Sequence, residues 1–262
     1  MATFERNQVQ IHYQTFGDAQ KPALVFSNSL GTNYRMWQAQ IDFFKDHFYV
    51  ICYDTRGHGL SSAPQGPYCL AQLGQDVIDL LDHLQIQQAA FCGISMGGLT
   101  GQWLAIHHPQ RFNHVVICNT AAKIGQEQAW LDRAALVRQQ GLQPIASTAA
   151  SRWFTEPFIQ RHTALVESLS NDLGAGSPEG YASCCEALAK ADLVSQLKEI
   201  SIPVLIIAGT QDPVTTVADG QVMHAAIKDS QLFAIDASHI SNIEQPMVFN
   251  QAVMDFIYPS SI

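Results

Sequence analysis

The chain reads as an α/β protein with a mostly parallel central sheet, helices on both faces and a helical insertion late in the fold. Three observations predict it. Short apolar runs recur along the sequence, segments of helical apolar spacing separate most of them, and between 121 and 197 the strand pattern stops while amphipathic stretches continue. Alternating strand and helix implies parallel strands joined by covered crossovers. The strands are expected near 10–13, 24–27, 49–53, 89–93, 115–119, 204–208 and 231–235, with helical stretches at 128–140, 143–153 and 157–169 in the insertion. This divides the chain into a first core part (1–120), the insertion (121–197) and a second core part (198–262). Gly174-Ala175-Gly176-Ser177-Pro178 reads as a turn inside the insertion.

The most specific local signal is Gly93-Ile94-Ser95-Met96-Gly97. Ala89 to Ile94 is apolar and strand-like, whereas Met96 to His107 has helical spacing, with Leu99, Trp103 and Ile106 recurring. A Gly-x-Ser-x-Gly at a strand-to-helix turn is a nucleophile elbow: the turn strains the serine backbone, and side chains two residues either side would collide. Ser95 is therefore the candidate nucleophile.

A serine hydroxyl needs a base to take its proton and an acid to orient that base. The apolar run Ile202-Pro203-Val204-Leu205-Ile206-Ile207-Ala208 breaks at Gly209 and presents Asp212 in a loop. A second run ends at Asp236, followed by Ala237-Ser238-His239. Asp212 and His239 thus follow successive strands and converge at one end of a parallel sheet, where sites in such sheets lie. Asp236 is the alternative acid, disfavoured because it belongs to the strand end. His107-His108 closes a helix before Pro109 and reads as a terminal cap.

Attack on a carbonyl creates an oxyanion, which two backbone N–H groups usually hold. Met96, directly after the nucleophile, supplies one. The other comes from the loop after an early strand, Pro22-Ala23-Leu24-Val25-Phe26-Ser27 running into Asn28-Ser29-Leu30-Gly31, and Leu30 is the expected donor.

Composition bounds the partners. The 262 residues are 47% hydrophobic, carry a formal charge of −9 and contain no apolar run long enough to span a bilayer. Such a surface repels phosphate backbones and acidic lipids, so neither nucleic acid nor a membrane is expected as a partner. The opening Met1-Ala2-Thr3-Phe4-Glu5-Arg6-Asn7 lacks the features of a secretory signal, and a cytoplasmic protein is expected. None of the six cysteines has zinc-ligand spacing, and no nucleotide-binding loop occurs, so no metal or cofactor is expected.

With these residues in hand, the chain resembles the α/β-hydrolase fold along its whole length, the insertion forming a helical cap. Within that fold it is most similar to 3-oxoadipate enol-lactonases. The resemblance rests on Phe26-Ser27-Asn28-Ser29-Leu30-Gly31-Thr32-Asn33 with Met36-Trp37, Tyr53-Asp54-Thr55-Arg56-Gly57-His58-Gly59-Leu60-Ser61, the elbow, and Ser238-His239-Ile240-Ser241-Asn242-Ile243-Glu244-Gln245-Pro246. The elbow and the Asp-x-Arg-Gly-x-Gly stretch are widely shared; Asn-Ser-Leu-Gly and Ser-Asn-x-Glu-x-Pro are narrower. Many relatives have His-Gly in place of Asn28-Ser29, which points away from a generic esterase. Asp54, Arg56 and His58 read as a structural turn, with Arg56 tied to backbone or a carboxylate.

The resemblance implies hydrolysis of a small anionic enol-lactone to 3-oxoadipate in the β-ketoadipate route of aromatic breakdown. Burying the free carboxylate of such a substrate calls for a cation in the cap. The insertion offers Arg133, Arg138, Arg152 and Arg161. Trp130 and Arg133, three apart, share a helix face, so Arg133 with Trp130 and Trp153 is the expected substrate-binding set. The alternatives are a carboxylesterase, a cofactor-free perhydrolase or a carbon–carbon bond hydrolase of the same fold, and, in another class, a ligand receptor that retains the triad.

Overall fold

The computed structural model describes residues 2–258, and its centre is an eight-stranded sheet in the order β1-β2-β4-β3-β5-β6-β7-β8. The strands are β1 (Ala2–Arg6), β2 (Val9–Phe16), β3 (Ala23–Ser27), β4 (Tyr49–Tyr53), β5 (Ala89–Ile94), β6 (Phe112–Cys118), β7 (Val204–Gly209) and β8 (Ser230–Ile235). β1 and β2 run antiparallel to their neighbours, and the pairings from β4 through β8 are parallel. Every residue of β3, β5 and β7 is buried. Helices cover both faces of such strands, which is why their sequences run apolar without alternation.

The helices are α1 (Gln38–Phe44), α2 (Leu70–His83), α3 (Met96–His107), α4 (Glu127–Gln140), α5 (Gln143–Ala146), α6 (Ala149–Trp153), α7 (Glu156–Arg161), α8 (Thr163–Gly174), α9 (Pro178–Lys190), α10 (Val217–Ala226), α11 (Ser241–Glu244) and α12 (Pro246–Ile257). β4, at 49–53, and α3 coincide with the sequence expectation, and the other expected strands agree within a few residues. β1 is not expected from the sequence, because Phe4 alone in it is buried, Ala2 is half-buried and the other three residues face solvent at the sheet edge.

α4 to α9 all lie between β6 and β7, in the stretch the sequence reads as a helical insertion. Two of its expected helices are each split. The 143–153 stretch breaks after Ala146, where the Ser147 and Thr148 hydroxyls donate to the Pro144 and Ile145 carbonyls. The 157–169 stretch breaks at His162, beside which the Thr163 hydroxyl donates to the Ile159 and Gln160 carbonyls. Such local side-chain bonds compete with the helical ladder. The expected turn at 174–178 separates α8 from α9; Ser177 caps α9 by accepting from the Gly180 amide, and Pro178 occupies its first position.

The turn after β4 is anchored as expected. Arg56 makes a bidentate ion pair with Asp76 of α2, with both N–H···O distances at 2.6 Å and both side chains buried. Among the described residues no helix is long and apolar enough to cross a membrane. Replacing Arg56 with Met strands the Asp76 carboxylate in the interior and is expected to cost about 3–5 kcal/mol. The readout is a lower urea midpoint at unchanged m-value.

Candidate active site

Ser95 stands between the C-terminal end of β5 and the first turn of α3 with φ 56 and ψ −115, a conformation unfavourable for a residue with a Cβ. Neighbouring bonds hold it there. Its amide donates to the Cys118 carbonyl at 2.9 Å, and its carbonyl accepts from the Leu99 amide and the Thr120 hydroxyl. The flanking glycines are required by close approach: a Cβ on Gly93 would lie 2.2 Å from the Gly97 carbonyl oxygen, and one on Gly97 would lie 2.3 Å from that of Ser27.

Two loops bring the other candidates to this end of the sheet. Asp212 follows β7 and His239 follows β8, and His239 Nδ1 lies 2.8 Å from Asp212 Oδ2 with both side chains buried. Asp212 accepts further bonds from Asn119 Nδ2 (3.0 Å), the Thr215 hydroxyl (2.9 Å), and the Val214 and Thr215 amides (2.8 and 3.1 Å). Burial alone would raise its pKa, but the bonds from His239, Asn119 and Val214 outweigh burial and hold it below the ordinary carboxylate value. Asp236, the alternative acid, is exposed and bonds to Thr210 and Gln211. His107 and His108 flank Trp103 at the far end of α3.

The loop carrying Leu30 is braced by Asn28. Its side-chain amide donates to the Tyr53 carbonyl and accepts from Trp37 Nε1, while its backbone carbonyl accepts the Gly97 amide. Among the described residues neither the Leu30 nor the Met96 amide donates to a protein acceptor, so both remain available. Met96 also opens α3, where the helix dipole favours negative charge.

Ser95, His239 and Leu30 line a cavity of about 300 Å³ whose other wall comes from the insertion, including Trp130, Arg133, Arg152, Trp153 and Tyr181. The whole expected binding set is therefore at this cavity. Arg133 lies over the Trp130 ring, 4.8 Å from its centroid. Arg138 instead pairs with Glu179 and Glu186, and Arg161 is exposed and bonds to the Pro157 carbonyl. Arg152 donates to the Thr148 hydroxyl and the Ile145 carbonyl. Neither Arg133 nor Arg152 has a carboxylate partner among the described residues. Burial, then the like charge of Arg133, pushes the Arg152 pKa down.

Sequence reasoning missed Asn119, Thr215 and the placement of Arg152. Asn119 has φ 43, also donates to the Ser238 carbonyl and accepts from the Ser241 hydroxyl. Glu244, quoted only as part of a motif, joins insertion to histidine loop: its carboxylate accepts from Thr155 and from the Ser238 amide. The Ile240 amide donates to the Trp153 carbonyl alongside it.

The sequence pattern of the alpha/beta hydrolase fold family matches residues 22–246. The chain belongs to this family. Among its relatives, 3-oxoadipate enol-lactonase 2 of Acinetobacter baylyi is 66% identical over 96% of this chain and 94% of that protein. 3-Oxoadipate enol-lactonase 1 of the same organism is 47% identical over 93% and 91%. The crystal structure of the enol-lactonase from Burkholderia xenovorans LB400 superposes with a TM-score of 0.96 at 42% identity, covering 98% of this chain and 99% of that one. The family gives the fold and the hydrolytic class; the arginine pair is a property of the cavity described above.

Asp212→Asn is expected to lower kcat by about 10⁴-fold with the fold intact, because His239 loses the partner that fixes its tautomer. It also changes acid stability. Asp212 titrates lower when folded than when unfolded, so its stabilising contribution is complete above the unfolded carboxylate pKa and vanishes as pH falls through the folded value. In the Asn variant that part of the acid dependence is absent from unfolding curves measured against pH.

Proposed function

We propose that this protein hydrolyses 3-oxoadipate enol-lactone to 3-oxoadipate through serine acyl-enzyme chemistry. The observation that carries this reading is the 66% identity to 3-oxoadipate enol-lactonase 2 across nearly the full length of both chains. The unpaired Arg133 and Arg152 in the cavity supply the cations that the free carboxylate of this lactone requires.

In this mechanism His239 takes the Ser95 hydroxyl proton as Oγ attacks the lactone carbonyl carbon, and the negative oxygen that forms is held by the Leu30 and Met96 amides. Collapse breaks the ring C–O bond. The leaving oxygen takes the proton from His239 and departs as an enol, which tautomerises to the ketone and opposes reclosure. Water then gives a proton to His239 and attacks the acyl carbon; the C–Oγ bond breaks, Ser95 recovers its proton, and a second carboxylate is released. Asp212 holds the imidazole with Nδ1–H toward it and supports the imidazolium. Residues 121–197 serve as the cap over this site, contributing Trp130, Arg133, Arg152 and Trp153 as the wall that binds substrate.

Steady-state loss of the lactone by the wild-type chain, beside Ser95→Ala and with a short aryl ester for comparison, tests the reading. Rapid loss that vanishes in the variant, with the lactone preferred by orders of magnitude in kcat/KM, is expected; equal or better ester turnover would sink the lactonase assignment. A second experiment addresses the cations. Arg152→Ala and Arg133→Met are each expected to raise KM for the lactone about 10–100-fold, the worth of a charge-assisted hydrogen bond. KM for an uncharged aryl ester should stay nearly constant.

A further inference from the structure

His58 differs from its neighbours in the turn after β4. Asp54 accepts bonds from His12 of β2, the Leu60 amide and the Tyr34 amide, which lies at the far end of the loop that carries Leu30, and Arg56 is consumed by Asp76. The His58 ring reaches the residue next to Leu30 itself: its Nε2 accepts the Gly31 amide proton at 2.9 Å. An imidazole accepting at Nε2 carries its proton on Nδ1, and His58 Nδ1 faces the Arg56 carbonyl at 3.3 Å. One tautomer therefore satisfies both bonds. Burial pushes the His58 pKa below its ordinary value, which keeps the ring neutral near pH 7.

The bond matters because of where Gly31 stands. A trans peptide points its C=O and N–H in opposite directions. The plane that includes the Leu30 N–H is fixed by its Ser29 carbonyl, which accepts from the Thr32 amide at 3.2 Å and the Thr32 hydroxyl at 2.8 Å. The next plane, between Leu30 and Gly31, is fixed by His58. From the other side the insertion presses on the loop: with φ +82, Gly31 is so close to Leu173 and Tyr181 that a Cβ would meet them at 2.7 and 3.2 Å. Without an acceptor beneath it, the Gly31 amide would be a buried donor with no partner and the loop would turn to satisfy it.

We propose that His58 is a positioning residue for the oxyanion site, its neutral ring fixing the peptide beside Leu30 so that the Leu30 N–H faces the reacting carbonyl. This rests on the reading of Leu30 as an oxyanion donor. His58 touches no reacting atom; it acts through the loop.

The test compares His58→Gln with His58→Met. The two side chains have the same reach, but only Gln places an acceptor where Nε2 was. Each variant is assayed for kcat and KM on an aryl ester and on the lactone, and for inhibition by a trifluoromethyl ketone, which binds as a tetrahedral oxyanion. The Met variant is expected to lose about 10–100-fold in kcat, with KM within about threefold and the ketone weakened by a factor like that in kcat. The Gln variant should stay within about threefold of wild type throughout. Equal kcat in the two variants, or loss of kcat in Met with undiminished ketone affinity, would overturn the proposal. ¹⁵N NMR of the wild-type ring provides a readout that needs no variant: an unprotonated Nε2 is expected, and a protonated one overturns the assignment. Turnover that survives in Ser95→Ala would instead strike the hydrolytic reading and leave the His58 comparison standing apart.

Discussion

The backbone of Ser95 is the constraint on which the site is assembled. A non-glycine residue at φ 56 costs about 1–3 kcal/mol, and it persists because each bond holding it also anchors another part of the site. The Ser95 amide is tied to the last residue of β6, and the next residue, Asn119, donates to both Asp212 and the Ser238 carbonyl. The Gly97 amide is tied to Asn28, the brace of the loop that carries Leu30. Ser95, Asp212, His239 and the loop that carries Leu30 are thus referred to one tight turn, whose tightness depends on the absence of Cβ atoms at Gly93 and Gly97.

Charge is distributed unevenly around that turn. The protein as a whole is acidic, at −9, yet the cavity wall opposite the nucleophile carries two guanidiniums without counter-ions. On the core side, five hydrogen-bond donors surround the Asp212 carboxylate and keep it ionised. The carboxylate beside His239 is therefore satisfied inside the protein, whereas the two guanidiniums on the cavity wall have no carboxylate partner among the described residues. Under the proposed reading, an anionic substrate would be drawn toward the arginines and away from Asp212, which would orient it before any bond is made.

Legibility in the sequence followed the range of the interaction. The elbow is written in five consecutive residues, and Asp212 and His239 each follow an apolar run, so all three could be read without coordinates. Asp236 is set aside on the same local ground, its place at a strand end; in the structure it is exposed and bonds to Thr210 and Gln211. β1 left no trace because one buried phenylalanine makes no pattern. Arg133 could be singled out because Trp130 lies one turn away on the same helix, whereas Arg152 reaches the cavity from another helix and its approach is wholly tertiary. Asn119 and Thr215 serve Asp212 through bonds that no local spacing encodes. His58 belongs with them: its turn was legible, but its bond to Gly31 spans two separate loops.

The carboxylate of Glu244 holds Thr155, just beyond α6, and the Ser238 amide, just before His239. With the Ile240 amide donating to the Trp153 carbonyl beside it, two separate tie points join the helical wall of the cavity to the loop that carries His239. The position of Trp153 and the position of the imidazole are thereby set by the same few bonds, and a substitution at Glu244 reaches both at once.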